Sequence, residues 1–218
     1  MKTVAVDGLH AVSELYRLRS EYPRTGLYPI ILGDEEDLER LEEGRYERFD
    51  PEAILAESRK LNPARWLARR PKEAPELYDF PEGEWPEDEP EEMGIVTHLD
   101  VLSREPKSKV FIGLLRVNSP WEVFAHLQWG GWNDCPLPAV HCALHRYWEE
   151  KWGAQPSSVT GDVVQCIVTR PPLDHKAALA LAREQYIYCY DIVDQGVQSI
   201  AVLAAGLRCA RHWFFWWD

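Results

Sequence analysis

The sequence predicts an α+β fold, with a split β-α-β-like antiparallel or mixed sheet flanked by helices and a mostly helical N-terminal extension. The C-terminal half reads as strand, helix, hairpin, helix, strand. Eight of the ten tryptophans fall within residues 121–217, which places the densest core there. An acidic, proline-rich segment separates this half from a region with a helical pattern. We therefore divide the chain into residues 1–70, 71–92 and 93–218.

The N-terminal region carries a strand signal and two helix signals. Residues 26–33 are apolar between two glycines and predict a short strand. Asp34 can cap a helix over about 35–43, where acidic residues fill the first turn and Gly44 ends the helix. An Asp-Pro pair opens 50–60 and predicts a second helix, because proline is favoured at the first helical position.

The segment 71–92 predicts a linker or a long surface loop. It holds ten acidic residues, one basic residue and five prolines, so like charges and fixed backbone angles keep it extended. Its net charge of −9 supplies most of the chain's −12, and both flanking regions are nearly neutral. Tyr78, Phe80 and Trp85 indicate that part of the segment lies on a neighbouring surface.

The C-terminal half has clear signals for each element, from hydrophobic periodicity, helix caps and glycine turns. The predicted elements are a strand at 109–117, a helix at 138–152, a hairpin at 157–168, a helix at 174–189 that Asp174 caps, a short helix at 199–207 and a strand at 211–217. Both alternating sets of the last strand are largely aromatic. That pattern predicts an internal strand of the core, covered on both faces.

Composition excludes several classes of function. No basic stripe exists to neutralise phosphates, so nucleic acid is not a predicted ligand. No stretch approaches the roughly 18 apolar residues that cross a bilayer, and the first residues lack the apolar core of a signal peptide. The five cysteines are scattered and never spaced as CxxC, which argues against a disulfide framework and a zinc knuckle. We predict a cytoplasmic location.

The turn Gly130–Pro136 is the first candidate for chemistry. The functional interpretation makes Cys135 a nucleophilic thiolate at the start of the following helix, with His141 as its base. The structural interpretation makes the segment a rigid turn in which Trp132 packs and Cys135 is a small buried residue. No cysteine-protease signature surrounds Cys135, so the sequence favours the structural interpretation.

Two histidines lie four residues apart on the predicted helix 138–152. His141 and His145 are weak candidates for a metal site, since imidazoles at this spacing can share an ion. No glutamate follows His141, so the zincin motif is incomplete, and a boundary histidine on a helix accounts for the pattern better. We predict no metal and no cofactor.

The loop after residue 189 and the last two residues bring further polar groups. Asp191 and Asp194 lie three apart, and Asp194 opens a turn with Gln195 and Gly196; the carboxylates either cap the next helix or form an acid–base pair. Asp218 follows the aromatic strand and needs donors or a pocket. The candidate pocket residues are Trp132, Asn133, Cys135, His141, Asp191, Asp194, Gln195, Trp217 and Asp218.

The GGWNxCP turn at 130–136, the alanine-rich helix, the DIVDQG loop at 191–196 and the terminal FWWD together resemble a bacterial family called domain of unknown function 4253. The resemblance covers roughly 109–218 and implies a cytosolic bacterial setting and a C-terminal module. It brings no catalytic residue. One departure is Tyr190, where the family pattern has proline, so the entry to the loop is less rigid here.

These observations give a leading functional hypothesis and a rival. The leading hypothesis is a non-enzymatic protein-binding module, one version being an immunity or toxin-neutralising protein, because no catalytic motif is assembled and an acidic segment suits a basic partner. The rival is a small hydrolase or ligand-binding enzyme whose pocket gathers the Gly130–Pro136 turn, the Asp191–Gly196 loop and Asp218. Convergence of those side chains in one place would favour the rival.

Overall fold

A computed structural model describes residues 1–43, 50–88 and 90–218. It confirms the α+β class with one mixed sheet of six strands in the order β1-β3-β2-β4-β5-β6. The strands are β1 (Lys2–Val6), β2 (Leu27–Gly33), β3 (Val110–Arg116), β4 (Ala154–Val159), β5 (Val163–Val168) and β6 (His212–Trp216). Neighbours pair antiparallel except β2 and β4, which are parallel.

Eight α-helices surround the sheet in the described part of the chain. They are α1 (Gly8–Thr25), α2 (Glu35–Glu43), α3 (Pro51–Lys60), α4 (Pro63–Glu73), α5 (Val123–Leu127), α6 (Pro138–Trp152), α7 (His175–Tyr188) and α8 (Ile200–Leu207). The predicted caps Asp50 and Asp174 each accept a hydrogen bond from a backbone N–H in the first turn of the helix that follows. The expectation that Asp191 or Asp194 caps α8 is wrong, because the Ser199 side chain accepts from the Val202 N–H in that place. Gly44, the predicted stop of α2, lies outside the described residues.

The N-terminal strands belong to the same sheet as the C-terminal ones. β1 and β2 pair with the two edges of β3, and β2 continues the sheet into β4, where Ser158 Oγ donates to the Ile31 carbonyl at 3.1 Å. Helix α1 packs on one face of β2 and β3, and Leu15 and Ile31 are buried there. Neither β1 nor α1 was predicted from the sequence.

The acidic segment is laid against α7 and α8. Tyr78 donates its hydroxyl proton to the Ile187 carbonyl at 3.0 Å. Trp85 stacks on the His175 ring, with the ring centroids 3.8 Å apart. The first N–H groups of α8 donate to the carbonyls of Pro81 and Glu82. These contacts fix the segment to the surface of the C-terminal half from residue 78 to residue 85.

The predicted internal position of the last strand is wrong. β6 is an edge strand that pairs with β5 and with no other strand of the described chain. Its aromatic density has another cause: Phe215 packs against Trp148 of α6 and Tyr188 of α7, so helices cover one face. The other face is only half-buried. Part of the open edge is covered by Cys189, whose thiol donates to the Trp216 carbonyl at 2.9 Å.

None of the helices in the described part of the chain is long and apolar enough to cross a membrane.

Candidate functional site

The turn between α5 and α6 has an unusual backbone. Four of its first six residues adopt positive φ angles: Gln128 (53°), Gly130 (111°), Gly131 (93°) and Asn133 (44°). Residues other than glycine rarely adopt such angles. Backbone strain that is concentrated in this way is found at binding and active sites. Two backbone hydrogen bonds close the turn, from Gly131 N to the Cys135 carbonyl and from Cys135 N to the Trp132 carbonyl.

Gly130 is needed because His141 lies against it. A β-carbon placed on Gly130 would lie 2.2 Å from the carbonyl oxygen of Pro136 and 2.5 Å from His141 Nε2. Real side chains do not tolerate such distances. Because Gly130 has no side chain, the turn between α5 and α6 can pack closely against the start of α6.

One flank of the turn is tied to the end of the chain. Asn133 Nδ2 donates to the Asp218 carbonyl at 2.8 Å, and the Asp218 N–H faces Asp191 Oδ2 at 3.3 Å. Gln195 Nε2 donates to the other Asp191 oxygen at 2.8 Å, and the residues after Asp191 form a π-helix, Ile192–Val197. The two loops and Asp218 that the sequence singled out thus meet in one hydrogen-bonded network.

The other flank is tied to the N-terminal region. Asp134 accepts a hydrogen bond from the Tyr190 hydroxyl at 2.9 Å and from the Arg70 guanidinium of α4 at 3.3 Å. The Tyr190 ring also meets Tyr78 of the acidic segment edge-on, with the centroids 6.2 Å apart. Tyr190, at the position where the family pattern has proline, therefore links the turn to the acidic segment.

Behind the turn, Cys135 and His141 are in contact, as the nucleophile hypothesis requires. Cys135 Sγ lies 3.5 Å from His141 Nε2, and His141 Nδ1 lies 2.6 Å from the Tyr188 hydroxyl. The same hydroxyl lies 3.0 Å from His145 Nε2, and His145 Nδ1 lies 3.7 Å from Cys166 Sγ. Five buried groups from the turn, α6, α7 and β5 thus form one chain, which we call the Cys135–Cys166 chain.

When its groups are neutral, the Cys135–Cys166 chain can form its hydrogen bonds with the donors pointing in either of two opposite directions. In one, the Cys135 thiol donates to His141, whose Nδ1–H donates to Tyr188. The Tyr188 hydroxyl then donates to His145, whose Nδ1–H donates to Cys166. Reversing every proton gives the second arrangement. A neutral imidazole has one donor and one acceptor, so both arrangements satisfy the two histidines and the Tyr188 hydroxyl, which lies between them.

Burial keeps these groups neutral. Burial raises the pKa of the Cys135 thiol and of the Tyr188 hydroxyl well above their usual ranges. Burial also lowers the pKa of His141 well below its usual range, with a smaller contribution from His145, and lowers the pKa of His145 to about 3. A thiolate–imidazolium pair is therefore disfavoured at neutral pH.

The two histidines are more deeply buried than the sequence indicated. Both have no exposed surface, because Phe124 of α5 packs on both rings and Tyr188 lies between them. His141 Nδ1 and His145 Nε2, the atoms that would share an ion, both face the Tyr188 hydroxyl. Across residues 1–43, 50–88 and 90–218, no group of three or more His, Cys, Asp or Glu side chains is placed to hold a metal.

On its outer side the turn lines a groove of about 360 Å³. Trp132 is half-buried there and meets Trp129 at 88°, with the ring centroids 4.9 Å apart. Trp129 is held by a hydrogen bond from its indole to the Thr160 carbonyl at 2.7 Å and by edge contact with Trp217. The groove is lined by Arg40, Leu41, Glu43, Gln128, Trp129, Trp132, Asn133 and Gly161.

All of the predicted pocket residues except Asp194 thus fall into three groups. Trp132 and Asn133 line the groove, while Cys135, His141 and Trp217 lie behind it. Asp191, Gln195 and Asp218 brace the turn, whereas Asp194 lies apart and accepts a hydrogen bond from Tyr186 at 3.3 Å.

Sequence reasoning missed Tyr188, Trp129 and the contribution of α2 to the groove. Trp129 stands next to the two glycines and could have been included. Arg40 and Glu43 are about 90 residues away and carried no such signal.

No curated protein and no solved structure shows a significant match to the chain. The sequence model of the family described as "Domain of unknown function (DUF4253)" matches residues 111–218. The matched region contains the turn, the Cys135–Cys166 chain, all of β3 except Val110, and the strands from β4 to β6. The C-terminal half of the chain therefore belongs to the DUF4253 family.

Proposed function

We propose that the protein is a non-enzymatic protein-binding module, and that the groove lined by Trp132 holds a segment of its partner. The observation that carries this proposal is the fixed position of a half-buried tryptophan on a strained turn. The turn is braced on one flank by Asp218 and on the other by Arg70 and Tyr190. A surface that is already ordered loses little conformational entropy when a partner binds.

The chemistry of the groove supports recognition of a protein. Tryptophan and arginine are the residues that most often dominate binding energy at protein interfaces, and both line this groove. Asn133 adds an exposed amide that can bond to a peptide backbone. The neutral state of Cys135 and His141 favours binding over nucleophilic chemistry.

A photo-crosslinking experiment tests this function. Trp132 is replaced by the aromatic photo-crosslinker benzoylphenylalanine, and the full chain is illuminated in extract from its source organism. Leu173, which is 73% exposed and lies away from the groove lining, is replaced in the same way as the matched control. We expect a discrete protein adduct at position 132 and none at 173.

Absence of an adduct at position 132, or equal adducts at both positions, would contradict the proposal. Identifying the captured protein also tests the finer version, in which the module neutralises a toxin. A captured protein without toxic activity would argue against that version while leaving the binding function intact.

A second candidate function rests on a specific observation. The contacts from Cys135 to His141 and from His141 to Tyr188 have the order of a nucleophile, its base and the group that orients the base. This arrangement favours a small thiol hydrolase. Turnover of a series of p-nitrophenyl acyl esters tests this function. A hydrolase should lose turnover in Cys135→Ala and keep it in Cys142→Ala, because the Cys142 thiol is not part of the Cys135–Cys166 chain of hydrogen bonds. Equal turnover in both variants, or none in the native chain, would exclude it.

A further inference from the structure

The charges at the groove suit a positively charged occupant. Arg40, the cation among the described residues that line the groove, lies 2.7 Å from Glu36 Oε1 and 3.9 Å from Asp162 Oδ2. Glu43, at the end of α2, lines the groove and is exposed. Glu36 and Asp162 thus pair with Arg40, and Glu43 adds a third carboxylate, so the described charged residues at the rim have an excess of negative charge.

The aromatic wall suits a cation as well. Trp132 is half-buried and stands perpendicular to Trp129, whose indole proton is already used by Thr160. The face of an indole ring attracts a guanidinium or ammonium group, and tryptophan is the strongest of the aromatic residues in this respect. A guanidinium group can stack flat on an indole and at the same time bond to a carboxylate.

The whole chain has the charge to attract such a partner. Its net charge is −12, and the acidic segment holds its carboxylates on an ordered part of the surface. All of the described acidic residues between 73 and 92 are exposed. A field of one sign steers an oppositely charged partner toward the surface and raises its association rate.

We propose that the groove takes an arginine side chain of a basic protein partner, stacked on Trp132 and paired with Glu43. This inference rests on the proposed binding function and names the chemistry of its partner. The volume of about 360 Å³ lies at the small end of ligand-binding clefts, roughly 300–1,000 Å³, which suits one long side chain and its immediate backbone.

Peptide titration followed by NMR tests the inference. The probe is the tripeptide acetyl-Gly-Arg-Gly-amide, added to the full chain with ¹⁵N-labelled tryptophan, and the signal is the indole N–H of Trp132. The citrulline analogue keeps the shape and removes the charge. We expect a saturable shift of the Trp132 signal with the arginine peptide, and at least tenfold weaker binding of the citrulline peptide.

A matched pair of variants on α2 isolates the carboxylate. Glu43→Gln should weaken the arginine peptide about fivefold, because the pairing charge is lost while the aromatic face remains. Glu42→Gln, the neighbouring residue that does not line the groove, should leave affinity unchanged. Both residues are exposed on the helix surface, so neither change should disturb the fold.

Equal binding of the citrulline peptide, or no shift of Trp132, would overturn the inference. A lysine peptide that binds as tightly as the arginine peptide would overturn the assignment to a guanidinium. The inference also falls if the arginine peptide fails while the crosslink at position 132 forms, but the binding function then stands. If both fail, both proposals fall.

Discussion

The two sides of the turn at 128–135 differ sharply in their chemistry. The outer side presents a half-buried tryptophan and an exposed amide to a groove with charged residues at its rim. The inner side presents a thiol that is 4% exposed to a histidine with no exposed surface. Cys135 and Trp132 are three residues apart and share one hydrogen-bonded backbone.

This difference shows that burial decides what a residue can do. On the inner side, the arrangement of a catalytic pair is present, but loss of solvent holds each group neutral. On the outer side, Trp132 and the Asn133 amide are held in fixed positions, because the inner side of the turn is packed. We therefore propose a structural role for the inner side and a recognition role for the outer side, and the following predictions test that division.

The largest expected effect is a loss of folding stability at acidic pH, caused by the two buried histidines of the inner side. His141 and His145 have folded-state pKa values lowered by burial, so the unfolded chain binds more protons as the pH falls below about 6.5. Their stability contribution is present above that pH and is lost below it. Between pH 7 and pH 5 the free energy of unfolding should fall by about 4 kcal/mol, measured by urea unfolding at each pH. A flat profile across this range would contradict neutral, buried histidines.

Gly130→Ala should destabilise the chain by about 3 kcal/mol, because the new β-carbon meets Pro136 and His141 at a left-handed backbone position. Gly131→Ala is the matched control. It shares the positive φ, but its β-carbon would lie 3.1 Å from a flexible end of Leu137, so about 1 kcal/mol is expected. Thermal unfolding of both variants measures the difference. Equal losses would show that the turn is not packed on His141.

Tyr188→Phe should cost about 2 kcal/mol, because both histidines lose the hydroxyl that they share. Tyr186→Phe, on the same helix, loses two longer, partly buried hydrogen bonds, with the Asp79 N–H and with Asp194 at 3.3 Å each, and should cost about 1 kcal/mol or less. Urea unfolding midpoints at pH 7.5 separate the two. A larger loss in Tyr186→Phe would remove the reason to treat the Cys135–Cys166 chain as one unit.

The smallest expected effect belongs to the outer side. Asn133→Gly removes a hydrogen bond to Asp218 and relieves a positive φ, and these changes oppose each other. Stability should change by no more than about 0.5 kcal/mol, measured by calorimetry, while crosslinking from position 132 weakens. A large loss of stability would mean that the outer side also holds the fold together.

Local signals in the sequence predicted the helices and strands of the C-terminal half well. A cap such as Asp174 acts within one turn of helix, so it can be predicted without knowledge of the fold. The position of β6 could not be read in this way. Aromatic residues indicate that a strand is buried, but they do not indicate its position in the sheet. Helices can bury a strand at the sheet edge as effectively as neighbouring strands do.

The candidate site was predicted in part for the same reason. The turn, the Asp191 loop and Asp218 were identified, because glycines and carboxylates near strand ends give local signals. The link through Tyr188 was not predicted, since periodicity places a tyrosine on a helix face without naming its partner on another helix. The α2 side of the groove was missed because its residues approach the turn only through the tertiary fold.

The division between the two sides is tested most directly by the reactivity of the thiols. The folded chain is treated with N-ethylmaleimide at pH 7.5, and the labelled cysteines are identified by peptide mass spectrometry. Exposed Cys209 should be modified while buried Cys135 stays unmodified until the chain is unfolded in urea. Modification of Cys135 as fast as Cys209 would contradict a structural inner side and favour the thiol hydrolase.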